Sequence, residues 1–135
     1  MDRLPLIRVA EVAFLTRGVA ECAGFYRELG LPFDEEPDRK HIHFADVGEQ
    51  YFGFADEERG FFTGYGDERA RFPLHVAFEV PGDKLDECSA FLRSKGVKVS
   101  PRVEASPGWH GAAKSASVYF TDPAGNIMEL WAPQR

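Results

Sequence analysis

Glu11-Val12-Ala13-Phe14 and His75-Val76-Ala77-Phe78 are one motif written twice, and the likeness continues downstream. Glu21-Cys22-Ala23-Gly24-Phe25-Tyr26-Arg27-Glu28-Leu29-Gly30 aligns with Glu87-Cys88-Ser89-Ala90-Phe91-Leu92-Arg93-Ser94-Lys95-Gly96, after a two-residue insertion in the second copy. Glu, Cys, Phe, Arg and Gly recur at equivalent places, so the chain is an internal duplication. Each copy opens with a β-rich run, Val9 to Leu15 or Leu74 to Val80. An apolar stripe at helical spacing follows: Cys22, Phe25, Tyr26 and Leu29 in the first copy, Leu85, Cys88, Phe91 and Leu92 in the second. Gly30 and Gly96 end these helices, because glycine accepts the left-handed conformation that closes a last turn.

Working outward, three short strands are expected after each helix. They lie at about 33–35, 42–45 and 51–55 in the first copy, and at about 98–102, 117–121 and 127–131 in the second. Asp46-Val47-Gly48 and Asp122-Pro123-Ala124-Gly125-Asn126 supply the tight turns before the last strands. The pattern predicts an α+β fold: one domain, 1–135, of two tandem βαβββ modules, 7–56 and 72–135, forming a curved mixed sheet around a cleft. Residues 57–71, charged and glycine-bearing with Phe61, Phe62 and Tyr65 embedded, read as a linker. Residues 103–115, holding Pro107, Gly108, Trp109, His110 and Gly111, read as a long loop, and loops of that length in a small domain are usually functional or mobile.

The bulk numbers limit the partners. A net charge of −6 with 16 Lys and Arg against 22 Asp and Glu excludes the basic stripe that a nucleic-acid backbone requires. No run approaches the ~18 apolar residues of a membrane span and Met1-Asp2-Arg3-Leu4-Pro5 lacks a signal-peptide core, so a cytoplasmic location is expected. The hydrophobic content of 44% is enough for a core without disulfides. Cys22 and Cys88 lie on the helical stripes and are expected to be inert, buried thiols.

If the copies pack about a pseudo-twofold axis, equivalent strand positions converge. Glu11 is then equivalent to His75, and aligning Phe52-Gly53-Phe54 on Met128-Glu129-Leu130 makes Gly53 equivalent to Glu129. Of the four positions, Glu11, His75 and Glu129 can bind a metal. Taken one at a time, each has an ordinary alternative: a solvent-facing strand Glu, a surface His, a Glu129 paired with an arginine. His43 and His41 alternate on one strand face, with either the cleft or solvent before them. Trp109, His110 and Phe61 are candidates to line or cover a substrate pocket, against dimer contact or plain loop packing.

The first strand, the Phe25-Tyr26 and Leu29-Gly30 helix ending, the His75-led strand and above all Asp122-Pro123-Ala124-Gly125-Asn126-Ile127-Met128-Glu129-Leu130 resemble the vicinal oxygen chelate superfamily. That superfamily includes glyoxalase, bleomycin-resistance and extradiol dioxygenase proteins, and the likeness covers nearly the whole chain. It implies metal ligands on the first and last strand of each module, here Glu11, Gly53, His75 and Glu129. Two positions depart from the pattern: Glu11 stands where His or Gln is commoner, and Gly53 stands where glyoxalase I types have Glu. What remains is three protein ligands with open positions, closer to fosfomycin-modifying and extradiol-cleaving members.

Two carboxylates and an imidazole form a hard set suited to one divalent Zn, Mn, Fe or Ni ion. The resemblance thus implies a metal-dependent lyase, transferase or dioxygenase acting on a small vicinal-oxygen substrate, with Glu11 as ligand or as a general base of raised pKa. The alternative is a metal-free, bleomycin-resistance-type binding protein in which Glu11 and Glu129 are polar walls. A homodimer is expected in either case.

Overall fold

The computed structural model describes residues 1–39, 41–66, 68–70 and 74–134. Arg71, at the end of the expected linker, and Phe72 and Pro73, at the start of the expected second module, lie outside the described residues. In chain order the elements are β1 (Arg8–Thr16), α1 (Val19–Glu28), β2 (Ile42–Val47), β3 (Gln50–Asp56), β4 (Phe61–Phe62), β5 (Arg69–Ala70), β6 (Leu74–Glu79), α2 (Leu85–Ser94), β7 (Val103–Ala105), β8 (Lys114–Thr121) and β9 (Ile127–Gln134). Seven strands form one curled mixed sheet in the order β2-β3-β1-β6-β9-β8-β7, and β4 and β5 pair as a separate hairpin.

The duplication is visible in the register. β1 and β6 run antiparallel at the centre of the sheet, with Val12 opposite Val76, Glu11 opposite Ala77 and Ala13 opposite His75. A pseudo-twofold axis through the Val12–Val76 pair therefore exchanges Glu11 with His75. Each central strand then takes a parallel neighbour, β3 beside β1 with Gly53 on Ala13, and β9 beside β6 with Glu129 on Ala77. Because Ala13 and Ala77 are exchanged by the same axis, Gly53 and Glu129 are structural equivalents, as the sequence alignment required.

The helices close the other face of the sheet. Under α2, Leu85, Cys88 and Leu92 bury against Val80, Val118 and Leu130, using the predicted stripe with Phe91 at its half-buried edge. Under α1 the buried face is turned by one position from that predicted. Val19, Cys22, Ala23 and Tyr26 pack towards Phe33, Phe52 and Phe54, whereas Phe25 and Leu29 stand 58% and 63% exposed. Residues 19, 22, 23 and 26 satisfy the same i, i+3, i+4, i+7 spacing, and the aromatic floor of β3 selects that set over 22, 25, 26 and 29. Both helices end as expected, with Gly30 and Gly96 at positive φ and the next residue's N–H bonded back to the Tyr26 or Leu92 carbonyl.

Other expectations are corrected. No strand forms at 33–35, because the Arg27 guanidinium donates to the Phe33 and Asp34 carbonyls, at 2.9 and 2.5 Å, and takes the acceptors a ladder would use. At 98–102 there is only a bridge from Val99 to Phe120. Pro101 lacks an N–H, and the pairing strand is β7, inside the segment read as a loop. The expected linker carries the β4–β5 hairpin, Phe61 on Ala70 and Phe62 on Arg69. Both cysteines are free, Cys88 buried but Cys22 half-buried, with its sulfur 3.2 Å from Thr16 Oγ1.

Gly53 is held by packing as well as by register. Phe44 stands directly opposite on β2, and a Cβ on Gly53 would strike the His43 carbonyl oxygen and the Phe44 ring. Gly53→Ala should lower unfolding free energy by about 1–3 kcal/mol, the usual cost of overpacking, read from urea denaturation. Undiminished stability would show that Phe44 does not close this position.

Candidate metal centre

β1, β6 and β9 lie side by side, and Glu11, His75 and Glu129 project from them onto the same concave face. All three are buried, at 8%, 5% and 6% exposure. His75 Nε2 lies 2.9 Å from Glu129 Oε1 and 3.2 Å from Glu11 Oε2. Three ligand atoms, one from each residue, fall within 4.8 Å of one another. Ligands about 2.0–2.2 Å from one ion, at right or tetrahedral angles, lie about 2.8–3.6 Å apart, and both His75 distances fall in that range.

The remaining carboxylate oxygens are tied from behind. His110 Nε2 donates to Glu11 Oε1 at 2.7 Å, and Ser117 Oγ donates to Glu129 Oε2 at 2.7 Å. Each carboxylate is thus turned so that its second oxygen faces His75 Nε2. This is how outer residues orient first ligands at metal sites.

His110 reaches inward because its backbone adopts φ 55°, ψ 42° in the short 3₁₀ turn Trp109–Gly111. Its ring lies flat on Tyr51 at 3.7 Å and edge-on to Phe44 and Trp131, at 4.9 and 5.3 Å between centroids.

The charges follow from this geometry. Burial alone would raise the Glu11 carboxyl, but hydrogen bonds from His110 and His75 outweigh it and hold the group at about 2. Burial likewise disfavours the His75 imidazolium, yet its hydrogen bonds to Glu11 and Glu129 push it up to about 10. The expected rise of the Glu11 pKa by desolvation is therefore reversed, because two imidazoles face its oxygens. Tyr119 is raised well above its ordinary value, by burial first and then by the charges of Glu129 and Glu11. It stays a neutral phenol.

These residues form the floor of a cleft of about 390 Å³, walled by Ile42, Phe44, Phe61, Phe62, Val103 and Trp109 among others. Phe61 stacks on the His75 ring at 4.9 Å, and Phe62 packs edge-on to Tyr119 at 5.7 Å, so the segment read as a linker is a wall of the site. Trp109 lines the cleft, whereas His110 sits behind Glu11. His43 does not reach the cleft. It points to the opposite face of β2, buried beside Phe33 at 5.1 Å, while its neighbours Ile42 and Phe44 face inward.

Ser117, Tyr119, Phe44 and Arg39 also belong to the site, and the sequence did not single them out. The duplication held a signal for two of them. Tyr119 is opposite Glu129 as Phe44 is opposite Gly53, so extending the alignment to β2 and β8 puts both in the cleft.

The model of the glyoxalase/bleomycin resistance protein/dioxygenase superfamily matches residues 8–130. The chain belongs to that superfamily. No curated protein sequence matches it. Methylmalonyl-CoA epimerase from Mycobacterium tuberculosis shares this superfamily chain's fold with TM-score 0.68 and 18% identity, over 100% of this chain and 93% of that one. The 2,3-dioxygenase LapB from Pseudomonas sp. KL28 aligns with TM-score 0.66 and 16% identity over 98% of this chain, which spans 42% of the dioxygenase's length. An NAD-dependent benzaldehyde dehydrogenase structure from Legionella pneumophila aligns with TM-score 0.58 and 14% identity, over 92% of this chain and 98% of that one. At such identities the likeness is one of fold.

In the metal-free protein the buried charges set a pH window. The raised His75 contributes stability that is complete below about 6.5 and is lost as pH climbs through about 10. The lowered Glu11 contributes stability that is complete above about 4.5 and is lost as pH falls through about 2. Melting temperature should therefore decline from pH 6.5 towards 10, and the decline should be shallower in His75→Gln. Identical alkaline slopes in the two proteins would refute the buried imidazolium.

Proposed function

We propose that this protein is a divalent-metal-dependent enzyme acting on a small molecule with two adjacent oxygens, in a lyase, transferase or dioxygenase reaction. The observation that carries this reading is the pair of oriented carboxylates. His110 and Ser117 each occupy one oxygen, so that Glu11 Oε2, Glu129 Oε1 and His75 Nε2 converge at the floor of an open cleft.

Glu11, His75 and Glu129 would hold the ion, with Zn, Mn, Fe or Ni all compatible with two carboxylates and an imidazole. A metal in this place supplies Lewis acidity to the substrate's paired oxygens. The chain's own residues do the rest. Phe44 and Gly53 leave the fourth family position without a side-chain ligand, which keeps coordination room for the substrate. Phe61, Phe62 and Trp109 exclude water from its body. Tyr119, held neutral, offers an O–H donor on the same face as Glu129. Glu11, kept ionised by His110 and His75, is better suited to ligation than to accepting a proton.

No described helix is long and apolar enough to cross a membrane. The proposed setting is the cytoplasm, and the proposed assembly is a homodimer. Phe14 and Leu74 face each other across β1 and β6 and stay exposed, at 40% and 46%, as an apolar spot that a second copy would cover. Sedimentation at micromolar concentration should give twice the chain mass, and Phe14→Glu should return the monomer. A wild-type monomer would remove this part of the proposal.

Purified protein should take up one equivalent of divalent metal by elemental analysis, and His75→Ala should lose it. Ser117→Ala should fold normally yet bind metal about 10–100-fold more weakly. Stoichiometric metal in His75→Ala, or ligand binding indifferent to chelator, would favour the metal-free binding protein instead.

A further inference from the structure

Among the described residues, five carboxylate, imidazole or guanidinium side chains line the cleft. Glu11, His75 and Glu129 make up the floor, and Glu104 is engaged by Arg102 at 2.6 Å. The fifth, Arg39, is exposed. Its backbone is fastened to the start of β2 by reciprocal bonds with Ile42, N–H to O at 3.1 and 3.2 Å. Its guanidinium carbon lies 4.3 Å from the centre of the Trp109 ring. The neighbouring Asp38 carboxylate accepts from the Phe44 backbone N–H at 2.6 Å. Among the described residues no carboxylate pairs with Arg39, although the chain carries 22 acidic side chains.

Stacking on an indole occupies the face of a guanidinium and leaves its N–H edge free. Here the guanidinium is held in the cleft wall against Trp109 with its fork unpaired by any described carboxylate. The surrounding surface is apolar. Phe44, Val103, Pro107 and Trp109 line the same cleft, and among the described residues no lysine or second arginine does. The cleft lining thus combines a buried Glu-His-Glu cluster, an unpaired guanidinium and an apolar wall.

We infer that Arg39 is a specificity-determining residue that receives a carboxylate on the substrate, so that the molecule carries adjacent oxygens at one end and a carboxylate at the other. A single guanidinium fork matches one carboxylate in charge and in bidentate geometry. A phosphate dianion would bring a second negative charge that this one guanidinium does not match. This assignment rests on the proposed metal-dependent reading for the far end of the substrate only; the Arg39 end is independent of it.

The test uses three probes that share adjacent hydroxyls: catechol, 3,4-dihydroxybenzoate and 3,4-dihydroxyphenylphosphonate. Each is titrated by calorimetry into Zn-loaded and chelator-stripped protein, with melting temperature as the control for folding. The benzoate should bind wild-type protein about fivefold more tightly than catechol, as befits one rim-exposed charge pair, and the margin should shrink in high salt. Arg39→Gln should erase the margin, read as the ratio of the two affinities within each protein, and Arg39→Lys should keep part of it.

Equal affinities in wild type, a margin that survives Arg39→Gln, or no benzoate binding to either form would overturn the assignment. A margin larger for the phosphonate than for the benzoate would overturn the carboxylate. If the benzoate margin depends on Arg39 but neither probe's affinity responds to Zn, the metal reading fails and the Arg39 assignment stands.

Discussion

The antiparallel pairing of β1 with β6 about Val12 and Val76 is the constraint on which the rest of the molecule depends. It places Glu11 and His75 on one face of adjacent strands, and it fixes where the parallel partners β3 and β9 must fall. A slip of one residue would send Glu11 to the helical face, because side chains alternate with period two. Apolar residues on both faces resist that slip: Phe78 packs towards the α2 side, while Ala13 sits on the cleft side with Phe61.

A buried imidazolium between two buried carboxylates is expensive to assemble, since each ion must leave water, and such sets rarely persist for stability alone. Here the second oxygens of Glu11 and Glu129 are satisfied by His110 and Ser117, so each carboxylate is held through both of its oxygens. A divalent ion that replaced the proton on His75 would inherit ligands already oriented, and little rearrangement would be needed to receive it.

Much of this was legible in the sequence, because the duplication is a long-range signal. The equivalences of Glu11 with His75 and Gly53 with Glu129 need no knowledge of contacts, only of order. What escaped was decided by partners distant in the chain. The strand expected at 33–35 lost its acceptors to Arg27, a side chain on the preceding helix. The face of α1 was chosen by Phe52 and Phe54 on β3, and periodicity alone admitted two answers. His43 and Phe44 are neighbours of similar bulk, so which one faced the cleft depended on the phase of β2. That phase is set by the pairing of Phe44 with Gly53.

Trp109 and His110 are consecutive, yet one walls the cleft and the other holds Glu11 from behind. A change in this loop that reshaped the cleft would therefore disturb the orientation of Glu11 as well. On the proposed metal-dependent reading, substrate range and metal affinity would be inherited together. New specificities are more accessible through the β4–β5 hairpin and the Arg39 rim, where the wall can change while the carboxylates keep their orientation.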